Sequence, residues 1–197
     1  MRAAPFGLRV EWSQPQVFEL AARAAALTHG HPSGYFSAAA LGAIVRDLSA
    51  GVVVDLAGEW VCWLLDGRQG AQETLSAINQ ARSLATCQGR GDIDASLRKL
   101  GEGWVGEEAL AVAIYSVIVA EDFADAVRIG ANHDGDSDST ASIAGQLWGA
   151  AHGLGAIRLD WAAKLDVFDV MCEVAATFLT ADADRGSRAA IGAIAHR

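Results

Sequence analysis

Apolar residues recur at three- and four-residue steps along nearly the whole chain, and no stretch alternates in the manner of a half-buried strand. The spacing predicts a helix over 16–29, with Phe18, Ala22, Ala25 and Ala26 on one face, Pro15 before it and Gly30 after it. A second helix is expected over 33–50, where Ala38, Ala39, Ala40, Gly42 and Ala43 let a neighbour come close. Further helices are expected over 55–65, packed through Trp60, Trp63 and Leu64, over 71–87 and, briefly, over 93–100. A glycine-rich turn at 101–106 leads into 107–120, which is apolar on nearly every side and belongs at the centre of a bundle. Helices over 121–132, 139–152, a short 159–165 and 167–179 complete the set. The end, 183–197, is small and charged and is expected to fray. No repeat or linker divides the chain, so a single helical domain over 1–182 is expected.

Composition sharpens the class. Of 197 residues 52% are hydrophobic and roughly a fifth are alanine, the strongest helix former, while only 3 are proline. The fold class is all-α. The net charge of −9 has the wrong sign for a generic nucleic-acid binder or for an anionic membrane surface. Cys62, Cys87 and Cys172 are odd in number and widely spaced, with no C-x-x-C pair, which disfavours a disulfide framework or a zinc cluster. The longest apolar run, 109–120, contains Ser116 and falls short of the ~18 residues of a membrane span. With no basic-then-apolar leader at its start, the chain is expected to be cytoplasmic.

The densest polar cluster is Asn132-His133-Asp134-Gly135-Asp136-Ser137-Asp138-Ser139-Thr140. Asp136, Asp138 and Ser139 offer hard oxygens at a turn entering a helix, a donor set suited to Mg²⁺ or Mn²⁺. The same residues also suit a helix N-cap, with Gly135 supplying a positive φ, and both readings stand on the sequence. Thr28-His29-Gly30-His31-Pro32-Ser33-Gly34-Tyr35 reads either as a helix terminus or as a polar loop that contacts a ligand through His29 and Ser33. Its two histidines are two apart and make a poor zinc pair. In Gly103-Trp104-Val105-Gly106-Glu107-Glu108, Trp104 is either core or the wall of a nucleoside pocket, with the glutamates complementing a helix dipole. No P-loop, nucleophile elbow or H-E-x-x-H motif occurs.

These segments together resemble the ADP-ribosylglycohydrolase family. The run from Asn132 to Ala151 is similar to its C-terminal aspartate signature, 28–35 to its Thr-His loop and 103–108 to a further stretch. Met1-Arg2-Ala3-Ala4-Pro5 resembles the stretch just C-terminal to its Gly-Asn-Gly segment, and the matches keep family order from Met1 to about Leu179. The resemblance implies an all-α fold, two adjacent Mg²⁺ ions and hydrolysis of the bond between ADP-ribose C1″ and an acceptor such as an arginine side chain. It implies that Asp136 and Ser139 bind one ion, that Asp138 sits between both, and that His29, with Ser33 and Trp104, contacts the substrate. The family's Thr-Asp-Asp metal motif, acidic catalytic residue and Gly-Asn-Gly loop would lie upstream of Met1. The likeness therefore covers the C-terminal two-thirds of such an enzyme, leaves the catalytic residue unassigned and implies weak or no activity for the 197 residues alone. The alternative is a non-catalytic helical module that binds ADP-ribose or a partner protein, or that self-associates through an exposed apolar surface.

Overall fold

The structure is a computed structural model that describes residues 1–9 and 11–177. Every regular element among those residues is helical. Met1–Ile157 forms one compact unit, and a second begins at Arg158. The first unit contains α1 (Ala4–Gly7), α2 (Gln14–Ala26), α3 (Pro32–Ser49), α4 (Val54–Leu65) and α5 (Gln72–Gln88). It continues through α6 (Ile93–Leu100), α7 (Gly106–Val119), α8 (Phe123–Ala131) and α9 (Ser137–His152), and ends in a 3-10 turn, Leu154–Ala156. In the second unit α10 is one turn, Leu159–Ala162, and residues 168–177 are helical. The expected fraying end at 183–197 lies outside the described residues.

Two helices organise the first unit. In α7 every side chain from 109 to 117 is buried, as its all-round apolar sequence requires. The two polar groups there are satisfied in place: Ser116 donates to the Val112 carbonyl at 2.7 Å, and the Tyr115 hydroxyl donates to the Gly89 carbonyl at 3.2 Å. The second organiser, α3, packs against α1, α2, α4, α7 and α9. Small residues make these approaches possible. A Cβ on Gly7 would lie 2.4 Å from the Gly42 carbonyl oxygen, and one on Gly42 only 3.2 Å from the Ala21 Cβ. Helix α1 therefore rests directly on the α3 backbone.

Several expectations are corrected. Helix α2 ends at Ala26, so Thr28 and His29 lie beyond it, and Ala26 is exposed while Val17, Phe18, Ala21 and Ala22 form the packed face. Helix α4 does not pack through Trp63, which is 68% exposed; Ala57, Gly58, Val61, Cys62 and Leu65 face inward. A Cβ on Gly58 would already touch Arg82 at 3.0 Å, and the bulkier side of the helix is turned out. Helix α9 begins two residues before the expected 139, placing Asp138 and Ser139 in its first turn. The short helix expected over 159–165 stops at Ala162. Cys62 is buried, Cys87 and Cys172 are exposed, and all three are free thiols.

Candidate functional site

Helix α3 forms the floor of an open cleft of ≈ 880 Å³. Residues from the start of the chain, the end of α2 and the loop to His31 make one wall; the 103–106 turn and the beginnings of α7 and α9 make the other. Most of the lining is small or apolar, including Ala24, Ala38, Leu41 and Ile143, with a few polar groups set among it, the usual character of a ligand site. His29, Ser33, Trp104, Asp136 and Ser139, the residues singled out in separate sequence segments, all line this one cleft. Asp138 is exposed and lies outside the lining.

The acidic turn is held rigidly. The His133 Nδ1 accepts the Gly135 amide at 3.1 Å, which leaves Nε2 to donate to the Thr140 hydroxyl at 2.9 Å. Thr140 is fully buried, and its hydroxyl donates in turn to the Gly130 carbonyl at 2.5 Å. This relay ties the end of α8 to the start of α9 and fixes the turn between them. The Asp136 amide donates to the Glu102 carbonyl at 2.8 Å, which fastens the acidic turn to the glycine-rich turn opposite. Gly135 does not take a positive φ. Its small size serves the close approach, because a Cβ there would sit 1.7 Å from that same Glu102 oxygen.

Asp136 occupies the N-cap position of α9, with the Ser139 amide of the first turn beside its carboxylate. It also lines the cleft. The neighbouring Asp138 carboxyl, then the Ser139 hydroxyl and amide and His133, hold its pKa below the usual carboxylate range. Ser139 donates to Asp138 at 3.4 Å, so two carboxyls and a hydroxyl converge at the start of α9. That is a hard-oxygen donor set of the kind a small divalent cation accepts, although among the described residues no three His, Cys, Asp or Glu side chains gather into a cluster.

Across the cleft, His29 Nδ1 and the Thr28 hydroxyl are 2.8 Å apart, and the ring lies close over Gly34. Ser33 is buried, its hydroxyl 2.9 Å from Nδ1 of His31, the N-cap residue of α3. The two histidines engage separate neighbours and make no metal pair. Trp104 is 68% exposed, so it is not core; its indole N–H donates to Glu102 at 3.0 Å and fixes the ring at the mouth of the cleft. The turn that carries it is braced by Glu108, which accepts the Glu102 and Gly103 amides at 3.1 and 3.0 Å. The sequence pattern assigns Glu108 to the helix dipole and does not reveal this reach back. Two glycines at positive φ, Gly101 and Gly103, just before an acidic pair are the signal that such a turn needs a carboxylate brace.

The ADP-ribosylglycohydrolase family matches residues 1–188. The chain belongs to that family. The glycohydrolase family is helical and of hydrolase type, in agreement with the all-helical structure and with the resemblance carried by the aspartate signature. No curated protein and no solved structure matches the chain significantly. Arg2, Ser37 and Ile143 also line the cleft beside the expected residues; the sequence singles out Arg2 only as part of the Met1–Pro5 stretch, and nothing in the local sequence distinguishes Ser37 or Ile143.

Proposed function

We propose that the cleft binds ADP-ribosylated substrates and hydrolyses the bond between ADP-ribose C1″ and an acceptor such as a protein arginine, with Mg²⁺ as cofactor. The observation that carries this reading is the convergence of His29, Ser33, Trp104, Asp136 and Ser139 on one cleft in a member of the glycohydrolase family. A divalent ion bound there supplies charge stabilisation and a hold on ribose hydroxyls. Asp136 and Ser139 would hold it, with Asp138 beside them. His29 from the opposite wall and Ser33 from the start of the floor helix orient the ribose end, and the fixed Trp104 ring offers a stacking face and excludes water at the mouth. The open, small-residue floor leaves room for an extended dinucleotide-like ligand.

Two carboxylates and a hydroxyl leave most of a six-coordinate shell to water. The 197 residues alone are therefore expected to hold Mg²⁺ loosely and to turn over slowly, and no residue of this chain is assigned as the general acid. The incomplete donor set also favours a second reading, an ADP-ribose-binding module without turnover. Both are tested by following ADP-ribose release from ADP-ribosyl-arginine alongside ADP-ribose binding, with Mg²⁺ and with EDTA. Asp136→Asn combined with Asp138→Asn is expected to abolish the Mg²⁺ response of either signal. An unchanged Mg²⁺ response in the double variant contradicts the metal assignment; binding without release selects the module.

A further inference from the structure

An acidic protein that binds a diphosphate gains from a local cation, and the cleft holds one in the Met1–Pro5 stretch, to which the family resemblance assigns no role. The whole chain carries −9, and the Asp136 side chain lines the cleft, so the approach of an anion is opposed on both scales. Among the described residues that line the cleft, Arg2 alone is a lysine or arginine. It stands on the wall formed by the start of the chain, beside Ala3 and Phe6, whereas Asp136 stands on the α9 wall. The floor between them is α3, which packs against both α1 and α9.

Other arginines of this molecule are taken up by carboxylates, as Arg46 is by Asp47, Arg68 by Glu19 and Arg82 by Asp55 and Glu59. Arg2 is exposed and has no ion-pair partner among the described residues. Its neighbours are held in place, because α1 begins two residues later and is pressed against the α3 backbone at Gly7. An unclaimed guanidinium on a fixed wall of a ligand cleft is suited to fork-like pairing with phosphate oxygens.

We infer that Arg2 is the anion-anchoring residue of the cleft, pairing with the diphosphate of the ligand while the Asp136 side engages its ribose end. This rests on the reading of the cleft as an ADP-ribose site, and it sets specificity for diphosphate-bearing ligands over their nucleosides. Two polar ends of opposite charge preference then fix the direction in which the ligand lies along α3.

The test is calorimetric titration of the 197-residue protein, its Arg2→Ala and its Arg2→Lys variants, with ADP-ribose and with inorganic pyrophosphate in EDTA. The expected result is an affinity loss of about tenfold or more for both probes in Arg2→Ala, the scale of one charge-assisted pair. Arg2→Lys should recover part of it, and both variants should melt where the wild type does. Undiminished binding of both probes by Arg2→Ala overturns the inference while leaving the ADP-ribose reading intact. Arg2-dependent pyrophosphate binding without any ADP-ribose binding supports the inference and removes that reading. Binding of neither probe by the wild-type protein overturns the inference, and no ADP-ribose binding after Mg²⁺ replaces EDTA overturns that reading as well.

Discussion

A Cβ placed on Gly135 would lie 1.7 Å from the Glu102 carbonyl oxygen, closer than any packing tolerates, whereas one on Gly145 in α9 would meet nothing nearer than 3.7 Å. The two glycines therefore predict opposite outcomes. Gly135→Ala must push the acidic turn away from the glycine-rich turn and should cost about 1–3 kcal/mol, as overpacking does. Gly145→Ala should instead stabilise by roughly 0.5–1 kcal/mol, because alanine restricts the unfolded chain and suits a helix interior. Urea unfolding of both variants measures this, and equal effects would contradict the close approach. The residues of the acidic turn are legible in the sequence because Asp136, Asp138 and Ser139 are near neighbours whose shared chemistry shows in the string of letters. What they do is less legible. That Asp136 lines a cleft from its N-cap position depends on the distant 101–104 turn, through the contact with Glu102.

Helix α7 carries the stability of the first unit, since residues 109–117 are all buried. Ile114→Ala should cost about 2–5 kcal/mol as a buried cavity forms, while Trp63→Ala on the exposed side of α4 should stay within about 0.5 kcal/mol. Chemical denaturation midpoints of the two variants decide this, and a larger loss at Trp63 would reverse the assigned face of α4. Elements differ in how far their pattern declares them. A helix apolar on all sides has one place to go, so the central position of α7 is readable from its letters. In α4 two faces are apolar, and periodicity cannot choose between a bulky face and a small one. The close approach of Gly58 to Arg82, a tertiary contact, makes the choice. Helix α1 is a single turn, too short to show any period, and its place depends on the backbone of α3.

For the whole molecule, charge and pH act through a few buried groups. Asp125 is buried and accepts hydrogen bonds from Arg90, Arg128 and the Glu121 amide, and the Arg90 contact chiefly holds its pKa below the usual carboxylate range. Its folded pKa is depressed, so its contribution to stability is present above the unfolded value of about 3.9 and is lost as pH falls through the folded one. Asp47 has the opposite sign. Burial raises its pKa against the opposing effects of Arg46 and Gln14, so its contribution is full below the unfolded value and is lost as pH rises through the raised one. Asp125→Asn should therefore lower the melting temperature by several degrees near neutral pH, and the gap to wild type should close below about pH 4. A pH-independent gap would show that the ion network around Asp125 is not the cause. All-helical architecture is legible at this scale from alanine content and spacing, but the cleft is not, since it exists only where α3 brings the two walls together.

The most direct measurement is a thermal melt of the chain alone, with Mg²⁺, with ADP-ribose, and with both. A ligand at ~100 times its dissociation constant adds about 2.7 kcal/mol, several degrees for a domain of this size. The account predicts the largest rise with both present, lost in the Asp136→Asn, Asp138→Asn double variant. A cooperative transition that stays in place with both at millimolar concentration would contradict it.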